Sequence, residues 1–261
     1  MISAAYIQMY AYGCPMMSEP AEYSDPPAVN AVAVSRRLFL GWVGAALAAL
    51  ALPRPLWSVE DPASAYKETI AVLQMLYRGE IEANLRYKAF EARALKEGHV
   101  NIAHMFAAIA ASEAVHADHF SGLLVKLGVQ PDSPEALAGQ LHITTASTKE
   151  NLRYATDVEL AEIDVRYPEY LQRIKPENNS SAVKRITYAW EAEQQHRELI
   201  KDIQSGTGMF FGMLAARFRS TKTRYFVCQN CGSTLTVLPS EKCPICGFPL
   251  SWYKEIRLPG S

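Results

Sequence analysis

The sequence has 261 residues, of which 49% are hydrophobic and 20% charged, and its formal net charge is −1. This composition is typical of a globular chain that buries a core, and the length allows one large domain or two smaller ones. Because there is no surplus of basic residues to neutralise phosphates, nucleic acid is excluded as a partner. Four of the five cysteines lie between Cys228 and Cys246, which indicates a local metal site and not a disulfide framework.

The first 60 residues are typical of a targeting segment, so they are left out of the fold prediction. The run Ser35-Arg36-Arg37-Leu38-Phe39-Leu40 is similar to a twin-arginine export signal. The apolar stretch from Leu38 to Leu52 that follows is shorter than the ~20 residues that span a bilayer. Cleavage near Ala63-Ser64-Ala65 would give a periplasmic protein, whereas an uncleaved segment would anchor the protein to a membrane. The alternative is an ordinary apolar helix in a cytoplasmic protein.

Residues 61–208 are predicted to form four helices, because apolar residues recur there at helical spacing. Ser147 and Glu150 have the capping-box pattern of a helix start. We expect a long connection over residues 129–146, and a kink or restart of the third helix at Pro168. The predicted helices run from Asp61 to about Gly98, from His99 to Leu127, from Ser147 to about Ile174 and from Ser181 to Ser205. Four helices with one long connection favour a mainly α fold, a ferritin-like four-helix bundle.

Several acidic and histidine side chains fall on the apolar stripes of these helices, where they would point into the bundle. They are Glu80 on the first helix, Glu113 and His116 on the second, Glu159 and Glu162 on the third, and Glu193 and His196 on the fourth. A buried carboxylate without a partner costs several kcal/mol or shifts its pKa until it is neutral. The cluster therefore requires cations. Residues three apart share a helix face, so a Glu-x-x-His pair can hold one ion with two ligands.

The ligand pattern occurs twice along the chain. Glu80 precedes Glu113 by 33 residues, and Glu159 precedes Glu193 by 34, so each helical hairpin contributes a Glu-x-x-His motif and at least one further glutamate. Two such hairpins are the arrangement that binds two iron or manganese ions in the core of a bundle. The alternative is that these residues lie on solvated helix faces. The repeat favours a di-metal site.

The four cysteines between Cys228 and Cys246 form a second predicted metal site, in residues 223–258. Cys228-Gln-Asn-Cys231-Gly232 and Cys243-Pro-Ile-Cys246-Gly247 are two C-x-x-C-G motifs, and four thiolates at this spacing make a tetrahedral site for iron or zinc. Short strands around 225–227 and 252–253 predict a small β-rich domain, joined to the bundle by a linker over 209–222. A structural zinc ribbon remains open on the cysteines alone.

From residue 66 to about 256 the sequence resembles the rubrerythrins, and the second cysteine motif resembles rubredoxin. The resemblance is carried by Gly79-Glu80 with Tyr87, by Glu113-Ala-Val-His116, by Glu159-Leu-Ala-Glu162 followed by Tyr167-Pro168, and by Glu193-Gln-Gln-His196. It implies a ferritin-like bundle with two non-haem irons and a C-terminal rubredoxin-like domain with one iron in the tetracysteine site.

The resemblance also implies a role for each ligand. Glu113 and Glu193 would bridge the two irons, Glu80 and Glu159 would be terminal ligands, and His196 would hold one iron. These five assignments come from the family and not from the spacing of the residues.

Two further pairs take their expected roles from the same resemblance. Glu162 and His116 would exchange as ligands to the other iron when its redox state changes. Tyr87 and Tyr167 would form hydrogen bonds to the ligands.

The activity implied is reduction of hydrogen peroxide to water by the di-iron site, with the tetracysteine iron relaying electrons from an external donor protein. In rubrerythrins this transfer typically runs between subunits, so a homodimer or larger homo-oligomer is expected. One alternative is a ferroxidase or iron-handling protein. Another is a non-catalytic metal-binding protein with a structural zinc ribbon, in contact with a membrane through its N-terminal segment.

Overall fold

A computed structural model describes residues 62–205 and 223–258 of the chain. The first 61 residues, which include the twin-arginine motif, and the whole of the predicted linker lie outside these ranges. The helices are α1 (Pro62–Ala65), α2 (Lys67–Lys96), α3 (Val100–Lys126), α4 (Pro134–Gln140), α5 (Thr148–Ala161), α6 (Tyr167–Ile174) and α7 (Ser180–Ser205). The strands are β1 (Tyr225–Cys228), β2 (Thr234–Leu235) and β3 (Tyr253–Ile256). The fold is therefore mainly α, with a small β-rich region at the C-terminal end.

The long helices form the predicted four-helix bundle. Helix α2 ends just before Gly98, whose φ of +79° is the left-handed conformation that closes a helix. At the start of α5, the backbone N–H of Ser147 donates to Glu150 Oε2 and the N–H of Glu150 donates to Ser147 Oγ. This reciprocal pair is the predicted capping box. The connection between the second and third helices contains the short helix α4, where only a long connection was expected.

The third helix of the bundle is interrupted by a π-helical segment from Glu162 to Arg166, before it continues as α6. Pro168 lies in the first turn of α6, where its missing N–H costs no hydrogen bond. The predicted restart at this proline is therefore confirmed. The wider π turn exposes the carbonyl of Ile163, which accepts a hydrogen bond of 2.9 Å from the indole N–H of Trp190 on α7.

Two apolar clusters fill the bundle, with a polar layer between them. Along α3, the buried members of the first cluster end at Ala110, and those of the second begin at Ala117. The first cluster is built around Phe90 and Phe106, and the second around Leu73 and Phe120. The α3 residues between the clusters include the predicted ligands, so the bundle itself places those side chains in a buried layer.

The three strands form one antiparallel sheet in the order β2-β1-β3. Tyr225 and Val227 of β1 belong to the same apolar cluster as Phe106 of α3, so the sheet packs directly on the bundle. Within residues 62–205 and 223–258, no helix is long and apolar enough to cross a membrane.

Candidate metal centres

Four of the predicted ligands converge in the buried layer of the bundle. Helix α2 supplies Glu80, α3 supplies Glu113 and His116, and α7 supplies Glu193, and one donor atom from each lies within 4.8 Å of all the others. All four are buried; the most exposed, Glu80, retains only 6% of its surface. Side chains from three helices therefore form one compact cluster of three carboxylates and one imidazole.

The two ring nitrogens of His116 face different environments. Nδ1 lies 3.2 Å from Glu113 Oε2, 3.2 Å from Glu193 Oε1 and 3.7 Å from Glu80 Oε2. Nε2 lies 3.2 Å from the carbonyl oxygen of Cys231, which can only accept, so in the neutral imidazole the proton resides on Nε2. Nδ1 then presents a lone pair to the carboxylates.

His196 is held in the same way, from the other Glu-x-x-His motif. Its Nδ1 lies 2.8 Å from Glu193 Oε2 and 3.5 Å from Glu113 Oε1. Its Nε2 lies 3.2 Å from the hydroxyl oxygen of Thr234, and that hydroxyl donates its own proton to the carbonyl of Gly232 at 2.9 Å. The Thr234 oxygen is therefore an acceptor for His196 Nε2–H, which again turns Nδ1 towards the carboxylates.

Protons cannot satisfy this cluster without large pKa shifts. Burial, together with Glu193, raises the pKa of Glu113 well above its ordinary value. Burial alone would lower the pKa of His116, but Glu113, Glu193 and Glu80 around it raise the pKa well above the ordinary value. Even so, Glu113 Oε2 and His116 Nδ1 are buried with no hydrogen-bond partner. Such orphaned acceptors, aimed at one point, fit a bound cation.

Of the two predicted tyrosines, Tyr167 contacts the cluster. It is buried, and its hydroxyl donates a 2.9 Å hydrogen bond to Glu80 Oε1. Burial and the charge of Glu80 raise the pKa of Tyr167 well above its usual range, so it remains a donor. The ring of Tyr87 is also buried, stacked against Phe106 with the ring centroids 5.9 Å apart. The expected hydrogen-bonding role of Tyr87 stays a prediction.

Of the two predicted ligands of the third helix, the structure describes the side chain of Glu162 only, and it is not a member of the four-residue cluster. Glu162 is the first residue of the π segment, is partly buried, and accepts a 3.0 Å hydrogen bond from Arg166. Burial, with the charges of Glu193 and Glu80, raises the pKa of Glu162 to about 8. The backbone of Glu159 lies in α5, and its side chain is outside the described part of the structure.

The four cysteines of the C-terminal region form a second cluster. None of them is in a disulfide, and their four Sγ atoms all lie within 4.8 Å of one another. Cys228 Sγ and Cys246 Sγ are 3.8 Å apart, and Cys231 Sγ and Cys243 Sγ are 3.5 Å apart. Metal–sulfur bonds of ~2.3 Å in a tetrahedron place the sulfurs roughly 3.8 Å apart. The sulfur spacing therefore fits one tetrahedral ion.

The turn after Cys231 brings the two clusters together. Gly232 has a φ of +78°, and a Cβ atom built on it would lie 2.1 Å from His116 Nε2 and 2.6 Å from Ser112 Oγ. Only glycine fits, because a side chain would collide with the imidazole as well as strain the backbone. The carbonyl of Gly232 accepts a further hydrogen bond of 2.7 Å from Ser112 Oγ.

The residues that join the C-terminal domain to the bundle were not predicted from the sequence. Gln195 Oε1 accepts a hydrogen bond of 2.9 Å from the backbone N–H of Thr234. Arg185 donates to both the carbonyl oxygen and the side-chain oxygen of Asn230, at 2.7 and 2.9 Å. Gln195 does lie next to His196, but nothing in the local sequence indicates a contact with a residue about 40 positions away. These contacts depend on how the two domains meet.

A family model described as rubrerythrin matches residues 71–204. Rubrerythrin-2 of Clostridium acetobutylicum is 32% identical over 69% of this chain and 91% of its own length. Nigerythrin of Nitratidesulfovibrio vulgaris is 28% identical over 73% of this chain and 88% of its own.

Solved structures give the same result for the fold. A structure of nigerythrin in a mixed-valence state matches 72% of this chain and 86% of its own, with a TM-score of 0.59 and 25% identity. A bacterioferritin of Desulfovibrio desulfuricans, described with its diiron site in different catalytic states, matches 61% of this chain with a TM-score of 0.56. At 20% identity, this second likeness shows the fold alone.

The donor chemistry agrees with these comparisons. The carboxylate–histidine cluster and its orphaned acceptors fit a di-iron site, and the four sulfurs fit a tetracysteine metal site. Iron suits both sets of donors, since carboxylate with imidazole and thiolate alone are each found as its ligands.

Proposed function

Because this chain belongs to the rubrerythrin family, and so to the di-iron oxidoreductases of oxidative stress defence, we propose that it reduces hydrogen peroxide to water. The observation that carries the proposal is the shared turn 231–234, which touches His116 and His196 and also contains a cysteine of the second cluster. Such a short connection between the carboxylate cluster and the cysteine cluster suits electron transfer between them, and a protein that only stored or bound metal would not need it.

The reaction takes up two electrons and two protons, and converts one hydrogen peroxide into two waters. When bound, two ferrous ions would supply both electrons, and iron in the tetracysteine site would return them one at a time from an external donor protein. By resemblance, the ligands of the di-iron site are Glu80, Glu113, His116, Glu159, Glu162, Glu193 and His196. Those of the single iron are Cys228, Cys231, Cys243 and Cys246.

The protein's own groups have distinct tasks in this proposal. Tyr167 fixes the position of Glu80 through the hydrogen bond to Oε1, and keeps its proton because of burial. The backbone of Cys231 and the hydroxyl of Thr234 fix the tautomers of the two histidines, so that each Nδ1 can bind metal. Arg166 donates a 3.0 Å hydrogen bond to Glu162, and this bond would have to break before Glu162 could bind metal.

Peroxide consumption with an artificial electron donor tests the proposal. We expect Cys228→Ser and Glu162→Ala to lower turnover at least tenfold each. The matched control is Glu91→Gln, since Glu91 is a buried glutamate on the same helix as Glu80 and lies outside both clusters. Rapid turnover that is indifferent to Cys228→Ser and Glu162→Ala would contradict the mechanism. Oxidation of added Fe(II) without peroxide turnover would favour a ferroxidase instead.

The colour of the purified protein tests the metal of the tetracysteine site. Ferric iron bound by four thiolates absorbs in the visible range, and zinc does not, because zinc has a filled d shell. We expect a red protein that loses this colour in Cys228→Ser and keeps it in Glu80→Gln. A colourless tetracysteine site would favour the structural zinc ribbon.

We also propose a homo-oligomer, supported by the resemblance to the family. The contacts between the turn 231–234 and the bundle occur here within one chain. In an oligomer, the C-terminal domain could contact the bundle of its own chain or that of another subunit. Mixing the Cys228→Ser and Glu162→Ala proteins after partial unfolding distinguishes these two arrangements. Subunits that exchange their C-terminal domains would recover activity in the mixture, whereas subunits that keep the contact within one chain would not.

Export by the twin-arginine route is a further proposal, supported by Ser35-Arg36-Arg37 and the apolar run after it. Export of a folded protein would allow both metal sites to be filled before the chain crosses the membrane. Cell fractionation of the wild type and of Arg36→Lys/Arg37→Lys tests this. A wild-type protein found only in the cytosol would exclude export.

A further inference from the structure

Tyr253 makes the one contact between a side-chain hydroxyl and a cysteine sulfur that the described residues record. Its hydroxyl lies 3.3 Å from Cys243 Sγ. Tyr253 is the first residue of β3 and pairs with Cys228 at the end of β1, so the sheet fixes its backbone beside the cluster. Its ring packs against the cysteines, and the phenol oxygen reaches the sulfur.

A second hydroxyl supports this contact. Ser233 Oγ lies 2.9 Å from the Tyr253 hydroxyl, and Ser233 is completely buried. The carbonyl of Ser233 accepts a 2.9 Å hydrogen bond from the backbone N–H of Cys228, which holds the serine in place. With Ser233 donating to the phenol oxygen, the phenol proton is directed at Cys243 Sγ, and each donor in the short chain strengthens the next.

The phenol is a permanent donor in this environment. An ordinary tyrosine has a pKa of about 10, so the Tyr253 hydroxyl keeps its proton at neutral pH. A metal-bound thiolate has no proton and can only accept. The Tyr253–Cys243 contact is therefore an O–H···S hydrogen bond whenever a metal is bound.

The geometry points to Tyr253 as a positioning residue that raises the reduction potential of iron in the tetracysteine site, with Ser233 orienting its hydroxyl. Four thiolates with a ferric ion carry one net negative charge, and with a ferrous ion they carry two. A hydrogen bond to sulfur stabilises the form with more negative charge, which favours the reduced state. The inference rests on the proposed iron at this site, but not on peroxide as the substrate.

Tyr253→Phe is the direct test, because it removes the hydroxyl and keeps the ring that packs on the cysteines. Ser233→Ala removes the second hydroxyl and leaves the first. Tyr188→Phe is the matched control, since Tyr188 also packs against the cysteine cluster and no described contact joins its hydroxyl to a sulfur. Each full-length protein, loaded with iron, would be titrated anaerobically without peroxide, and the visible absorption of the tetracysteine centre followed.

We expect Tyr253→Phe to shift the equilibrium towards the oxidised form by about threefold to tenfold, which is about 28 to 59 mV at 59 mV per tenfold for one electron. The visible sulfur-to-iron absorption band should also move. Ser233→Ala should give a smaller shift in the same direction, and Tyr188→Phe no shift.

Three results would overturn the inference. They are an unchanged potential in both Tyr253→Phe and Ser233→Ala, a potential that rises, or an equal decrease in Tyr188→Phe, which would indicate a general packing effect. If these results came with normal peroxide turnover, the proposed function would stand. A protein that takes up zinc and no iron at the four cysteines would overturn the inference and the electron relay together.

Discussion

His116 Nε2 and the carbonyl oxygen of Cys231 lie 3.2 Å apart, so a side chain of the carboxylate cluster and the backbone of a predicted cysteine ligand share one hydrogen bond. Three residues further along, the hydroxyl of Thr234 holds His196 at the same distance. Both histidines of the repeated Glu-x-x-His motif are thus oriented by one four-residue turn.

Gly232→Ala should separate the two domains or distort His116, because the added Cβ would lie 2.1 Å from Nε2. Gly247→Ala is the matched control: Gly247 follows the other cysteine pair with a φ of +73°, and its Cβ would meet nothing within 4 Å. Both variants therefore carry the backbone strain of a non-glycine residue at positive φ. We expect only Gly232→Ala to lower peroxide turnover, by at least tenfold, measured with an artificial donor. Equal losses in the two variants would mean that strain alone is responsible.

Glu80→Gln should weaken binding of at least one metal ion in the bundle by tenfold or more, because an amide is a poorer ligand than a carboxylate. Glu91→Gln changes an equally buried glutamate on the same helix and should leave the metal content unchanged. Metal analysis after dialysis against a weak chelator measures the difference. If both variants retained two ions per chain in the bundle, Glu80 would not be a ligand.

The stability of the metal-free protein should fall as the pH rises from about 4.5 to about 8. Burial, Glu193 and Glu80 raise the pKa of Glu162 from 4.5 to about 8 in the folded state. Within this window the folded chain holds a proton that the unfolded chain has lost, so raising the pH favours unfolding. The contribution is fully present below pH 4.5. Urea unfolding of chelator-treated protein at several pH values measures the slope.

Glu162→Gln should flatten this slope up to pH 8. Glu91, whose pKa burial raises to about 7, supplies the comparison, since Glu91→Gln should flatten the slope only up to pH 7. Metal should reverse the trend, because ions displace protons from the ligands and bind more tightly as the pH rises. A stability that increases between pH 7 and 8 without metal would contradict the assignment.

Glu177→Ala should lower the free energy of unfolding by about 1 kcal/mol, because Glu177 caps the first turn of α2. Its two carboxylate oxygens accept hydrogen bonds of 2.8 and 2.7 Å from the backbone N–H groups of Glu68 and Thr69. Glu169→Ala, at an exposed position of α6, should change stability by less than about 0.5 kcal/mol. Thermal unfolding of the two variants checks the difference, and equal values would rule out the cap.

The sequence predicts the bundle well because its pattern is local. Helical spacing of apolar residues and the capping box at Ser147 depend on neighbours a few positions away, and both are confirmed. Residues 129–146 were expected to be a connection, but Ser133 caps α4 within it by accepting from the N–H of Ala136. Ser133-Pro134-Glu135 is a typical helix start, but a three-residue pattern was not enough to predict a helix here.

Features that depend on distant contacts were not predictable. The π segment at Glu162 is matched by a hydrogen bond from Trp190, which lies on another helix. Gly232 was predicted only as part of a cysteine motif, and its close approach to His116 was not foreseen. Such an approach depends on the docking of one domain on another, which no local pattern encodes.

The turn 231–234 has a thermodynamic consequence for assembly. The turn must be correctly folded to fix both imidazole tautomers. Metal bound by thiolates stabilises the fold around them, so filling the C-terminal site would lower the cost of filling the bundle. Linkage requires the reverse to hold by the same factor. Intermediates with only one site filled are then disfavoured relative to the empty and complete forms, so a cell short of iron would contain mainly those two.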